Sequence, residues 1–149
     1  MMKITRRLEF DYGHRVLNHE SKCANLHGHR GVVEVTIQAP ELDAIGRVVD
    51  FGAVKVLVGT WIDSNWDHNM LLHKDDPLIS GLRQPIESHE HVRKRIIGRE
   101  PYIMRYGNPT AENIARELFE IVSELLQPPL QVIRVRFHET PNCYADYEG

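Results

Sequence analysis

Apolar and polar residues alternate at the start of the chain. Ile4, Leu8, Phe10 and Tyr12 fall on even positions, interrupted by Arg6, and His14 continues their parity. A period of two is that of a half-buried strand, whose successive side chains point to opposite faces. His27-Gly28-His29 leads into a second strand, Gly31-Val32-Val33-Glu34-Val35-Thr36-Ile37, rich in β-branched residues. Val33, Val35 and Ile37 share a face, and His27 and His29 share their parity. Pro40 ends the run, and residues 42–46 read as a turn. The period then changes. Asp50 predicts an N-cap, and Phe51, Val54, Val58, Trp61 and Ile62 recur at helical spacing. Asn108-Pro109-Thr110 opens a second helix, with either Asn108 or Thr110 as its cap. Ala111, Ile114, Leu118, Ile121, Val122 and Leu125 make its apolar stripe, and Pro128-Pro129 stops it. Ile133, Val135 and Phe137 alternate with Arg134, Arg136 and His138 in a third strand, and a short fourth covers Cys143 to Tyr147.

The order strand, strand, helix, helix, strand, strand predicts an α+β fold. Its sheet is four-stranded and antiparallel, with two helices on one face. Residues 1–149 read as one domain. Residues 73–107 fit no period, carry Pro77, Gly81, Pro85, Gly98 and Pro101, and read as a long irregular excursion between the helices.

Composition narrows the function classes. Hydrophobic residues make up 42% and charged residues 26%, values that exclude a wholly disordered chain. The two cysteines, Cys23 and Cys143, cannot form a disulfide scaffold. No apolar run approaches the ~20 residues of a membrane helix, and the first residues lack an apolar signal core. The expectation is a cytoplasmic protein with no membrane partner. A net charge of -3 gives no electrostatic footprint for nucleic acid.

The informative feature is where the nine histidines fall. Residues i and i+2 of a strand point to one side, so His27 and His29 can reach one metal ion. His14 is the natural third ligand, since it ends a neighbouring strand on the inward parity. Three imidazoles suit zinc and leave a fourth position for substrate. Without metal, the pair would be two packed turn histidines. A rival H-x-H, His89-Glu90-His91, lies in the irregular stretch beside Glu87 and reads as a solvated polar loop. Cys23, four residues before His27 and flanked by Ser21, Lys22 and Asn25, is a fourth ligand, a buried thiol, or a nucleophile or base whose thiolate a nearby cation favours. Cys143 reads as structural. Asp67-His68 can act as a proton relay, if it is more than a surface turn. Glu139 continues the inward face of Val135 and Phe137, where a carboxylate must be paired or meet a ligand unless the strand has already ended. Two adjacent N–H groups of a heterocycle would satisfy it.

Taken in order, Phe10-Asp11-Tyr12-Gly13-His14, Cys23-Ala24-Asn25-Leu26-His27-Gly28-His29, Val49-Asp50-Phe51, Trp66-Asp67-His68, Asn108-Pro109-Thr110-Ala111-Glu112-Asn113 and His138-Glu139-Thr140 resemble the 6-pyruvoyl-tetrahydropterin synthase family. The spacing C-x3-H-G-H is similar to the bacterial branch that makes 6-carboxy-5,6,7,8-tetrahydropterin for 7-deazaguanine (queuosine-type) synthesis. The resemblance runs from Leu8 to Glu148, residues 73–106 excepted. It implies the tunnelling fold, in which sheets of neighbouring subunits join into trimeric barrels that stack as a homohexamer, with sites at subunit interfaces. It implies that His14, His27 and His29 hold Zn2+, and that the substrate is 7,8-dihydroneopterin triphosphate. Cys23 would take a proton from the substrate side chain, Asp67 and His68 would form the partner relay, Glu139 would anchor the pterin ring, and Thr110 would line its pocket. The pyruvoyl-forming reaction and a silent pterin-binding module with structural zinc are the alternatives. Two departures stand out: Trp66 where the family usually has leucine, and a longer excursion carrying Arg93, Lys94, Arg95 and Arg99, a solvated charge run or a contact for the triphosphate.

Overall fold

The computed structural model describes residues 1–87, 93–95 and 99–149, with backbone alone over 85–87 and 93–95. Strand β1 (Met2–His14) pairs antiparallel with β2 (His27–Ala39) over their full length. Strand β7 (Gln131–Thr140) lies on the other side of β2, and β8 (Cys143–Glu148) follows it through a tight turn. All four strands expected from the alternation are present. Helices α1 (Phe51–Asn65) and α3 (Ala111–Leu125) cover one face of this sheet. Asp50 caps α1 by accepting the N–H groups of Gly52 and Ala53. Thr110 is the cap of α3, its hydroxyl accepting the Asn113 N–H at 3.3 Å, which decides between the two caps left open.

The core follows from the two periods. Val33, Val35 and Ile37 of β2 and Val135 and Phe137 of β7 meet Val54, Val58 and Ile62 of α1 and Ile114, Leu118 and Val122 of α3. The opposite face of the sheet is charged. Arg7, Glu9 and Arg30 link across β1 and β2, and Arg136 holds Asp146 through two bonds of 2.7 Å.

Two expectations need correction. The sheet has six strands, not four, and it is mixed rather than antiparallel. Strand β3 (Asn69–Leu72) and strand β6 (Tyr102–Ile103) add in parallel beyond β1. There are three helices among the described residues, because α2 (Leu78–Arg83) forms inside the excursion. The excursion is therefore not irregular: it also holds β4 (Pro85–Glu87) and β5 (Arg93–Arg95), which pair antiparallel as a separate two-stranded sheet. These elements run two to six residues, less than the length over which either period shows. Trp66 is fully buried, with ring centroids 5.0 Å from Trp61, 5.7 Å from Phe10 and 5.9 Å from Tyr102. The larger side chain thus packs on β6, a strand of the excursion.

Candidate functional site

The register of β1 and β2 sets His14 opposite His27 and Tyr12 opposite His29, so the three imidazoles reach one spot on the core face. Gly31 makes room beside it. A Cβ there would stand 2.8 Å from Phe137, 3.1 Å from Tyr12 and 3.2 Å from Phe10, three rings that back the histidines. Among the described residues His14, His27, His29 and Glu139 form a group whose ligand atoms all lie within 4.8 Å of one another. His14 is 1% exposed and the other three are half-buried.

The tautomers follow from the neighbours. His14 Nδ1 lies 2.7 Å from the Pro109 carbonyl, and His27 Nδ1 lies 2.7 Å from the Asn25 carbonyl. A carbonyl only accepts, so both Nδ1 atoms carry the proton, and in neutral rings the Nε2 lone pairs are free. Those two Nε2 atoms face each other at 3.1 Å. Nitrogens about 2.0–2.1 Å from a tetrahedral ion stand roughly that far apart. His29 Nε2 is buried without a well-aligned hydrogen bond and lies 2.9 Å from Glu139 Oε1. Glu139 Oε1 is also 3.5 Å from His14 Nε2. Lone pairs of two or three imidazoles and a carboxylate converge here, and only a cation, proton or metal, relieves their repulsion. Burial pushes the His29 pKa down, His14 and His27 add to this, and Glu139 opposes it. Glu139 is held below the usual carboxylate range, first by the His14 ring in its protonated form, against its own burial. The donor set therefore fits a divalent ion bound by imidazole, with the outer nitrogens of His14 and His27 fixed by backbone carbonyls.

Glu139 reaches this point because β7 runs on to Thr140, so it is a strand residue and not part of the turn. The register against β8 shifts between His138 and Thr140, leaving Glu139 in an irregular step of the ladder. Such bulges re-aim a side chain. A cavity of about 280 Å³ opens beside the group, and His14, His19, Cys23, Thr110, Glu139 and Cys143 are on its wall. Cys23 sits in a 3-10 turn, Lys22–Ala24, as a half-buried free thiol outside the group of four. Cys143, expected to be structural, is exposed and reaches Thr140 Oγ1 at 3.0 Å. It lies at the start of β8, where the strand leaves the core. His19 is a wall residue that no periodicity marked.

Asp67 and His68 do not line that cavity. Asp67 Oδ1 accepts the Asp11 N–H at 3.0 Å, and His68 Nδ1 lies 2.8 Å from Asp67 Oδ2. His68 holds a left-handed backbone, φ 53°, which its N–H bond to the Asp11 carbonyl (2.6 Å) secures. The Asp67 hydrogen bond and charge raise the His68 pKa. Burial pushes Asp67 up, but the Asp11 N–H and His68 outweigh it and the net change is downward. His68 opens on a separate cavity of about 540 Å³ with Asp11, Asn69, Met70 and Arg99. Arg99 donates to the carbonyls of Asp67 (3.0 Å) and Ser64, at the end of α1. His89-Glu90-His91 and the side chains of Arg93, Lys94 and Arg95 lie outside the described residues.

The family model for 6-pyruvoyl tetrahydropterin synthase matches residues 3–149. A Rickettsia bellii protein named 6-carboxy-5,6,7,8-tetrahydropterin synthase is 45% identical over 148 residues, covering 98% of this chain and 99% of its own. A crystal structure of an uncharacterised Wolinella succinogenes protein has a TM-score of 0.78 at 29% identity, over 99% of this chain and 98% of that one. The 6-pyruvoyltetrahydropterin synthase of Plasmodium vivax shares the fold at 17% identity, with a TM-score of 0.72 over 100% of this chain and 99% of its own.

Proposed function

The chain belongs to the 6-pyruvoyl tetrahydropterin synthase family, and we propose that it is a 6-carboxy-5,6,7,8-tetrahydropterin synthase. It converts 7,8-dihydroneopterin triphosphate and one water to the 6-carboxy pterin, acetaldehyde and triphosphate, as a step of 7-deazaguanine synthesis. The observation that carries the reading is the three-imidazole group, whose His14 shares the wall of one cavity with Cys23 and Glu139, in a chain similar end to end to a relative of that name.

His14, His27 and His29 hold the metal, which we assign as zinc because the donors are neutral nitrogens rather than hard oxygens. A zinc ion held by these imidazoles would supply Lewis-acid polarisation of the substrate's side-chain hydroxyl groups. Cys23, on the wall of the same cavity as His14, takes a proton from that side chain. Glu139 accepts two ring N–H groups of the pterin, and Thr110 lines the same wall. Asp67 fixes and charges His68, which handles the second proton.

Cys23 and His68 open on different cavities of one chain. That separation supports a site shared between subunits. The unpaired outer edges of the sheet support an oligomer, since β3 covers only Tyr12 to His14 of β1. No helix among the described residues is long and apolar enough to cross a membrane, and we place the protein in the cytoplasm.

The deciding experiment is incubation of the zinc-loaded protein with 7,8-dihydroneopterin triphosphate, followed by mass analysis. A 6-carboxy pterin with acetaldehyde is expected. A 6-pyruvoyl product, or binding without turnover, would overturn the assignment.

A further inference from the structure

A charged ladder runs along the open face of the sheet and ends at His68. Arg7 meets Glu9 at 3.1 Å, Glu9 meets Arg30 at 2.8 Å and 3.0 Å, and Arg30 reaches both oxygens of Asp11 at 3.3 Å and 3.4 Å. The Asp11 carboxylate in turn stands with Asp67 and His68 in a group whose charged or ligating atoms all lie within 4.8 Å of one another. The backbone of Asp11 holds the same dipeptide, its N–H on Asp67 Oδ1 and its carbonyl on the His68 N–H.

We propose that Asp11 is a positioning residue of the Asp67-His68 pair: its carboxylate is a second anion beside the His68 ring, and Arg30 tempers its charge. The inference rests on the relay reading of Asp67 and His68 and adds the residues that set its proton affinity. Among the described residues, Asp67 comes from the same turn, Asp11 from β1, Arg30 from β2 behind Asp11, and Arg99, on the wall of the same cavity, from the far end of the excursion. Two anions favour the imidazolium form, and the two guanidiniums, each held by an acceptor, limit that preference. The direction agrees with the raised proton affinity of His68, to which Asp67 contributes first and Asp11 less. In the single chain His68 is three-quarters exposed, so the Asp11 effect acts partly through water and salt weakens it.

The side chain can be tested apart from the backbone, because Asp11→Asn keeps the N–H and carbonyl that hold Asp67 and His68. The probe is NMR titration of the full-length, zinc-loaded protein carrying 13C-labelled histidine. The His68 signal is assigned by its loss in His68→Gln. At low ionic strength the His68 midpoint falls in Asp11→Asn and rises in Arg30→Gln, and at 1 M salt, where the Debye length is about 3 Å, both differences shrink. The proton-dependent limb of kcat moves in the same two directions, while zinc content and the KM for substrate stay close to wild type. An unmoved midpoint in Asp11→Asn, or the same direction of change in both variants, overturns the proposal. The titration uses no substrate, so its failure leaves the proposed reaction standing, and a protein without turnover still reports on the ladder.

Discussion

Gly31 carries no side chain because Phe10, Tyr12 and Phe137 close over it from three directions. In Gly31→Ala the new methyl meets a rigid ring at 2.8 Å, and overpacking of this kind costs about 1–3 kcal/mol. Urea unfolding of Gly31→Ala should show a loss of that size, and an unchanged midpoint would mean that the rings yield. Behind these rings stand the histidines, where single substitutions act on metal and chemistry separately. His27→Ala or His29→Ala removes one of three imidazoles and should strip zinc under mild chelation, whereas His19→Ala, on the cavity wall but outside the group, should not. Elemental analysis of the three proteins decides this, and equal zinc in all would remove the assignment. Cys23→Ala should keep zinc and lose turnover by roughly two to four orders of magnitude, the usual weight of one acid–base group. If zinc content and melting temperature fall instead, the thiol is a ligand after all. The histidines were legible in the sequence because strand parity is local: two residues apart on one strand means one face. Asp11 was not legible, because its bonds go to Asp67 and Arg30, residues 56 and 19 positions away.

The long elements were legible for the same reason as the histidines. Strands of 10 and 13 residues and helices of 15 repeat their period often enough to be counted. The excursion was not, and its attachment explains Trp66. Tyr102 of β6 packs edge-on to Trp66 and donates its hydroxyl to Glu117 at 2.6 Å, while the Arg105 N–H reaches the other Glu117 oxygen at 2.9 Å. Arg15 binds Asp76 through two bonds of 2.7 Å and 2.6 Å, tying the end of β1 to the same segment. Tryptophan at 66 and the added strand are thus one packing solution. Glu117 is 0% exposed, in the middle of α3, and no amphipathic pattern predicts a carboxylate there. Burial raises its pKa above the ordinary 4.5, against the hydrogen bonds from Tyr102 and Arg105. A carboxyl that binds its proton more tightly folded than unfolded loses stability as pH rises from the unfolded value through the folded one. Glu117→Gln keeps both contacts, its amide oxygen accepting from Arg105 and its N–H donating to the Tyr102 oxygen. The stability of wild type relative to Glu117→Gln should therefore fall from pH 4.5 upward and level off once the buried carboxyl is ionised. Unfolding curves across that range check the difference, and a constant gap would show that Glu117 titrates as it does in the unfolded chain.

At the scale of the whole molecule, one face of the sheet is packed, the other is charged, and among the described residues the outer edges of β1 and β8 are mostly unpaired. A long unpaired edge is a template for another chain, and a charged face beside it suits the wet interior of a ring of sheets better than a second hydrophobic layer. Light scattering should give a mass near six times the 17.2 kDa chain, and a stable monomer at micromolar concentration would rule the assembly out. Mass alone does not say whether the assembly completes the site. The test uses two inactive proteins. In Cys23→Ala the thiol on the cavity wall is gone, and in His68→Ala the proposed relay ring is gone. If both groups serve one substrate from within the same chain, every chain in a mixture lacks one of them and no site recovers. If the thiol comes from one subunit and His68 from its neighbour, unfolding and refolding an equal mixture lets chance place an intact Cys23 opposite an intact His68. With closed symmetric rings and random exchange, that happens at about a quarter of the sites. Turnover should therefore return to roughly a quarter of the wild-type value after co-refolding and remain absent when the two proteins are mixed without unfolding. Recovery that fails while zinc content and hexamer mass are normal would place the whole reaction within one chain.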